Sequence, residues 1–141
     1  MRFVDASVFV HAFLKPKRKL KPHEVRVKEA AKRIVARIND GEKVGITVVQ
    51  VAEIANLLES YLPLNEAQKI EEFLLLAGNV KVFDVTKKDC LNALKIAKEK
   101  NVGFCDAVAY VVMMKNGVEE IYSFDSDFDR LNVRRVSESK H

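Results

Sequence analysis

The chain has 141 residues, 48% of them hydrophobic and 31% charged, with 24 basic against 20 acidic side chains and a formal net charge of +4. This composition excludes a disordered chain, and the length suits one domain with one core, so we expect residues 1–141 to form a single domain. The longest apolar run, residues 107–114, is far shorter than the roughly 20 residues that span a bilayer. The start of the chain also lacks the pattern of a secretory signal. We therefore expect a cytoplasmic protein without membrane contact.

Two periodicities alternate along the chain. Short apolar runs predict strands, and apolar residues three or four apart predict helices, some of them begun by a capping pattern such as Thr47 with Gln50. In chain order, we predict a strand over 2–6, helices over 7–14 and from 24 to about 40, a strand over 44–46, helices from 47 and 65, a strand over 80–85, helices from 86 and 106, and strands over 119–123 and 132–136. This alternation predicts a three-layer α/β/α sandwich around a central, mainly parallel sheet.

Four acidic residues fall at or beyond the predicted carboxyl ends of strands, where an open parallel sheet carries its functional groups. Asp5 ends the first strand, Glu53 lies in the helix after the second, Asp106 opens the helix before the fourth strand, and Asp125 follows that strand. Each of them alone has a structural explanation, such as the favourable helix dipole for Asp106. Their combined spacing predicts a cluster of carboxylates.

Clustered carboxylates repel one another unless a cation lies between them. Oxygen ligands suit Mg²⁺ or Mn²⁺, and such a site can activate water and neutralise charge on a phosphoryl group. An EF-hand beginning at Asp125 is excluded, because Arg130 and Val136 stand where that loop needs glycine and glutamate. We interpret Cys105, beside Asp106, as a small core residue rather than a thiol near the metal.

These acidic residues belong to four motifs that follow one another along nearly the whole chain. The motifs are Val4-Asp5-Ala6-Ser7, Glu53 in its helix, Asp106-Ala107, and Ser123-Phe124-Asp125-Ser126-Asp127-Phe128. In their order and spacing they are similar to the motifs of PIN-domain ribonucleases of the VapC toxin type. The resemblance implies an endoribonuclease that depends on Mg²⁺ or Mn²⁺.

The resemblance also implies roles for individual residues. It assigns Asp5, Glu53, Asp106 and Asp125 to the catalytic, metal-binding cluster, with Asp5 and Asp106 as the principal ligands. It makes Ser7 and Ser123 hydroxyl supports and Asp127 a supporting acid. It further implies toxin activity, restrained by a small antitoxin whose C-terminal segment occupies the acidic groove.

Positive charge is concentrated in the first 37 residues, which hold eleven basic against three acidic side chains. Five of the basic residues follow the first predicted helix closely: Lys15, Lys17, Arg18, Lys19 and Lys21. Such a loop is either a solvated surface or a contact for phosphates. Because the loop follows the helix that begins just after Asp5, we favour contacts to the RNA backbone.

Two consecutive helices carry more apolar residues than one buried face needs, around residues 57–64 and 73–76. We therefore expect a homodimer through these helices. Two other functions remain open: a non-catalytic RNA-binding or regulatory PIN module, and a housekeeping nuclease that processes RNA precursors.

Overall fold

The structure, a computed structural model, describes residues 1–138. Its elements are β1 (Arg2–Val4), α1 (Ala6–Phe13), α2 (Pro22–Asn39), β2 (Val44–Thr47), α3 (Val48–Tyr61), α4 (Leu64–Leu76), β3 (Val80–Phe83), α5 (Lys87–Lys100), α6 (Phe104–Lys115), β4 (Glu120–Tyr122), a 3-10 helix (Ser126–Arg130) and β5 (Arg134–Val136). No helix within these residues is both long and apolar enough to cross a membrane.

The five strands form one sheet in the order β3-β2-β1-β4-β5, and every pairing is parallel. The chain builds outward from β1 through β2 to β3, and then returns through α5 and α6 to place β4 on the other side of β1. The order therefore reverses between β1 and β4. The carboxyl ends of strands at such a reversal form the usual binding crevice of an open parallel sheet.

Alternate residues of the central strands point into two separate cores. Phe3 and Ile121 pack with α5 and α6, whereas Val4 and Tyr122 pack with α1 to α4. A strand that is buried on both faces needs apolar residues at successive positions, which explains the consecutive apolar residues Phe3 and Val4 in β1 and Val44 to Ile46 in β2. The predicted three-layer α/β/α sandwich is thus confirmed.

The element boundaries differ from the predicted ones by a few residues. α2 begins at Pro22 because proline is favoured in the first turn of a helix. α6 begins at Phe104, so Asp106 lies inside its first turn rather than at its start. The sequence did not predict the 3-10 helix at Ser126–Arg130, which begins where the Asp125 side chain accepts a hydrogen bond from the backbone N–H of Asp127.

Candidate metal centre

Asp5 lies at the reversal of strand order. It caps α1, its backbone N–H donates to the carbonyl oxygen of Tyr122 at 2.9 Å, and its side chain is 3% exposed. The Oδ2 atom accepts hydrogen bonds from the Ser7 N–H at 3.3 Å and from the Ser123 hydroxyl at 2.9 Å. Burial raises the pKa of Asp5, while these hydrogen bonds oppose the rise. The orientation of the Asp5 carboxylate is therefore fixed by contacts from the start of α1 and from the residue that follows β4.

Ser7 and Ser123 join the start of α1 to the segment after β4. Their Oγ atoms lie 3.4 Å apart. Ser7 Oγ accepts from the backbone N–H of Phe124 at 3.0 Å, and Ser123 Oγ accepts from that of Asp125 at 2.9 Å. Both serines thus accept hydrogen bonds from the backbone segment that carries Asp125.

Three carboxylates converge beside this serine pair. Asp106, Asp125 and Asp127 each offer an oxygen, and these oxygens lie within 4.8 Å of one another. Asp127, predicted as a supporting acid, is thus one of three carboxylates that lie close enough together to contact one cation. Its Oδ1 atom also receives an ion pair from Arg130 at 3.3 Å, and this pairing offsets part of its charge.

Asp106 also carries an electrostatic cost in this arrangement. Burial raises its pKa to about 8, helped by the charge of Asp5 and by a hydrogen bond with Asp125. Glu53 also contributes, because its charge acts on Asp106 as well. A carboxyl group with so high a pKa holds a proton at neutral pH unless a cation replaces it.

Glu53 reaches the same cluster from α3. Burial raises its pKa to about 7, and the charges of Asp5 and Asp125 add to the rise. Its Oε1 atom is buried and has no hydrogen-bond partner within residues 1–138. A buried acceptor without a donor is costly, and a bound cation would satisfy it. The oxygen-only donor set, the mutual repulsion and this orphaned atom all fit a hard divalent cation such as Mg²⁺ or Mn²⁺.

The sequence did not reveal how α3 and α6 are joined behind these carboxylates. The Gln50 side chain donates through Nε2 to the carbonyl oxygen of Cys105 at 2.7 Å, and accepts from the Thr47 hydroxyl. It therefore does not complete the predicted capping box, although Thr47 does cap α3. Burial raises the pKa of the Cys105 thiol to about 11, and the charge of Glu53 adds to the rise, so the thiol stays neutral. The only sequence signal here was the position of Gln50 in the third place of a helix.

The basic loop between α1 and α2 borders a cavity of about 950 Å³. Of the five predicted phosphate-binding residues, Lys15, Lys17 and Arg18 line this cavity, whereas Lys19 and Lys21 do not. Phe124, which separates Ser123 from Asp125, lines it as well. The cavity therefore adjoins the segment that carries the acidic cluster.

Two cations near the loop have partners within the protein. Arg18 forms a two-pronged ion pair with Glu24, with N–O distances of 2.9 and 2.7 Å. Lys28 donates from Nζ to the carbonyl oxygens of His11 at 3.0 Å and Leu14 at 2.8 Å, at the end of α1. Lys28 is partly exposed and closes the C-terminal end of α1.

A PIN-domain family model matches residues 2–133, and the chain belongs to that family. Among solved structures, VapC20 of Mycobacterium tuberculosis, described as a sarcin-ricin loop cleaving toxin, is similar with a TM-score of 0.73 and 23% identity over 96% of this chain and 98% of that one. A toxin–antitoxin complex from Klebsiella pneumoniae is similar with a TM-score of 0.67 and 10% identity, over 99% of this chain and 100% of that one. VapBC2 of Rickettsia felis, bound to a promoter DNA fragment, is similar with a TM-score of 0.63 and 11% identity over 96% of each chain. No curated protein sequence matches significantly. At these identities the solved structures show a shared fold.

Proposed function

We propose that the protein is an endoribonuclease that depends on Mg²⁺ or Mn²⁺. The observation that carries the proposal is the convergence of carboxylate oxygens from Asp106, Asp125 and Asp127 within 4.8 Å of one another. The charges of Asp5 and Glu53 act on the same Asp106 carboxyl, whose pKa is raised to about 8. Burying carboxylates that repel one another costs stability, and a bound cation would offset that cost. Membership of the PIN family supports the same conclusion.

Each residue of the cluster has its own task in this proposal. Asp106 and Asp125 would hold the cation, joined by Asp5 and Glu53, and Asp127 would support them. Ser7 and Ser123 orient Asp5 and the backbone of Asp125. The bound cation would lower the pKa of a water molecule and neutralise charge that develops on the phosphoryl group.

The loop with Lys15, Lys17, Arg18, Lys19 and Lys21 would bind the RNA backbone. Phosphates and the acidic cluster repel each other, so a substrate needs positive charge elsewhere in order to approach. Lys15 and Lys17 are exposed in the cavity beside Phe124, where they are placed to supply that charge. Such contacts position RNA without reading its sequence.

We further propose that the protein acts as the toxin of a toxin–antitoxin pair. VapC20 is described as a toxin, and the related Klebsiella pneumoniae structure is a toxin–antitoxin complex, which supports this role. The partner would be a small antitoxin whose C-terminal segment enters the acidic groove. Co-purification with a small protein encoded immediately upstream, and loss of cleavage on adding it, would test the pairing.

A homodimer through α3 and α4 is part of the proposal. Five large apolar side chains on these helices are exposed: Val48, Tyr61, Leu64, Leu75 and Leu76. Leu58 and Leu74, from the same helices, are fully buried, so the helices have an inner face and a separate outer apolar face. Sedimentation at micromolar concentration should give a dimer, and a species of only 16 kDa would contradict it.

Fragment sequencing tests the activity and identifies its target. Total RNA is incubated in Mn²⁺ with wild-type protein, with Asp106→Asn, and with Asp40→Asn as a control on an exposed acid at the end of α2. Wild type and Asp40→Asn should give the same discrete fragment ends, and Asp106→Asn should give none. Binding of RNA without new ends in any sample would instead indicate a non-catalytic module. Ends confined to precursor RNAs would indicate a processing nuclease.

A further inference from the structure

Gln50 is a buried amide that the proposed activity does not use. It is the third residue of α3, one turn before Glu53, and it is 1% exposed. A buried primary amide is costly unless its donors and its acceptor find partners. An apolar residue would fill this place in the core at lower cost, so the hydrogen bonds of Gln50 call for an explanation.

Both ends of the amide are engaged. Nε2 donates to the carbonyl oxygen of Cys105 at 2.7 Å, and Oε1 accepts from the Thr47 hydroxyl. Thr47 Oγ1 in turn accepts from the backbone N–H groups of Val49 at 3.2 Å and Gln50 at 3.3 Å. The Thr47 hydroxyl therefore uses its only hydrogen as a donor to Gln50. The contacts with Thr47 and Cys105 together fix the orientation of the Gln50 amide.

The contact with Cys105 links two helices that carry like charges. Cys105 immediately precedes Asp106 in the first turn of α6, and the charge of Glu53 on α3 acts on the Cys105 thiol. The charge of Glu53 acts unfavourably on Asp106, so the two carboxylates tend to push the helix ends apart. The Gln50 hydrogen bond opposes this separation from inside the core.

We propose that Gln50 is a positioning residue that sets the spacing of Glu53 and Asp106 for cation binding. It touches neither the substrate nor the cation, and acts through the backbone of Cys105 and the first turn of α3. Polar partners of this kind commonly change metal affinity or activity by about 10- to 100-fold when removed. The inference rests on the proposed metal-dependent function.

The test uses Gln50→Leu, which has a similar volume and makes no hydrogen bond. Mn²⁺ affinity is measured by calorimetry on the protein without RNA, and kcat and KM are measured on a labelled RNA. We expect the Mn²⁺ Kd to rise about tenfold or more and kcat to fall by a similar factor, with KM for RNA changed less than about twofold. A purely structural residue would not separate kcat from KM in this way.

Two controls separate positioning from stability. Ile54→Val removes one methylene from a fully buried residue on the same helix, in the core formed with α1 to α4, and should leave Mn²⁺ affinity and kcat unchanged. Thr47→Ser retains the hydroxyl and should also behave as wild type. If Gln50→Leu does not fold, Gln50→Asn decides by the same criteria, because its shorter side chain cannot reach the Cys105 carbonyl.

The proposal is overturned if the folded Gln50 variant binds Mn²⁺ and cleaves RNA within about twofold of Ile54→Val. Failure of the proposed function gives a different pattern, in which wild type cleaves no RNA in any metal. Calorimetry then still decides the role of Gln50. A tenfold difference in Mn²⁺ Kd supports positioning, and equal values contradict it.

Discussion

The Ser123 hydroxyl donates to Asp5 Oδ2 at 2.9 Å, although the two residues are 118 positions apart in the chain. The contact exists because β4 pairs with β1 in parallel, which brings the ends of the two strands together. Ser123 is fully buried and also accepts from the backbone N–H of Asp125. One hydroxyl therefore contacts both the Asp5 carboxylate and the backbone of Asp125, two residues that we propose hold the cation.

Ser123→Ala should weaken both folding and metal binding. It leaves the Asp125 N–H without its partner and the buried Asp5 carboxylate with only the hydrogen bond from the Ser7 N–H, and unmade hydrogen bonds of this kind cost about 1–3 kcal/mol. The pKa of Asp5 should rise further, since a hydrogen bond that lowers it is lost. Urea unfolding and Mn²⁺ calorimetry measure the two effects. Ser60→Ala, at an exposed helical serine, is the matched control and should change the free energy of unfolding by less than about 0.5 kcal/mol. Equal results for the two variants would contradict the role of Ser123.

Asp106→Asn should stabilise the metal-free protein while abolishing cleavage. The folded-state pKa values of about 8 for Asp106 and about 7 for Glu53 lie above their ordinary values of 3.8 and 4.5. The folded state therefore holds protons that the unfolded state releases, and stability is lost as pH rises from about 4 through about 8. Asp106→Asn removes part of this loss of stability. The amount by which the variant is more stable than wild type should therefore grow from pH 5 to pH 8.

Thermal unfolding in EDTA at several pH values checks this prediction. The difference between the two proteins is the useful quantity, because His11, whose pKa is lowered by burial, changes stability in the opposite direction in both. Adding Mn²⁺ should reverse the order at pH 8 by stabilising wild type more. If the variant's excess stability over wild type shrinks as the pH rises, the pKa of the Asp106 carboxyl is not raised in the folded protein.

Gly45→Ala should destabilise the sheet. A Cβ atom at Gly45 would lie 2.6 and 2.8 Å from two ring atoms of Phe3, whose side chain is 1% exposed and packed against Phe83. Overpacking of this kind costs about 1–3 kcal/mol. Gly78→Ala is the matched control, since nothing lies within 4 Å of the added atom, and it should change stability by less than about 1 kcal/mol. The free energy of unfolding of both variants is measured in urea. If Gly45→Ala leaves it unchanged, the close approach of Phe3 to β2 is contradicted.

Lys28→Met and Lys17→Met should have different effects, although both residues line the same cavity. Lys28 satisfies carbonyl oxygens at the end of α1, so its loss should cost about 1–3 kcal/mol of stability. Lys17 is exposed, and its replacement should leave stability unchanged but weaken RNA binding and reduce the salt slope by about one. Anisotropy titrations of labelled RNA at several salt concentrations, with Asp106→Asn as background, measure this. An unchanged slope would remove Lys17 from the RNA interface.

The fold could be predicted because its signals are local. Thr86 caps α5 as its sequence pattern indicates, with Asp89 completing the capping box, and the apolar runs mark the strands. Asp5 and Asp125 could be placed near each other because both follow strands of one parallel sheet.

The contacts within the site were harder to predict from the sequence, because they depend on packing between elements that are distant in the chain. The bond from Gln50 to Cys105 joins residues 55 positions apart, and nothing in the local sequence indicates it. The closeness of Asp127 to Asp106 depends on the short 3-10 helix after β4, whose turn the sequence pattern did not predict. The partners of Lys28 likewise follow from how α2 crosses the end of α1.

The central claim is that the acidic cluster carries metal-dependent RNA cleavage. It is tested most directly by the cleavage rate of an end-labelled structured RNA, with wild type and Asp106→Asn compared in Mn²⁺, in Mg²⁺ and in EDTA. Wild type should cleave in at least one of the two metals and not in EDTA, and Asp106→Asn should be slower by about 100-fold or more. Equal rates for the two proteins, or cleavage that persists in EDTA, would contradict the claim.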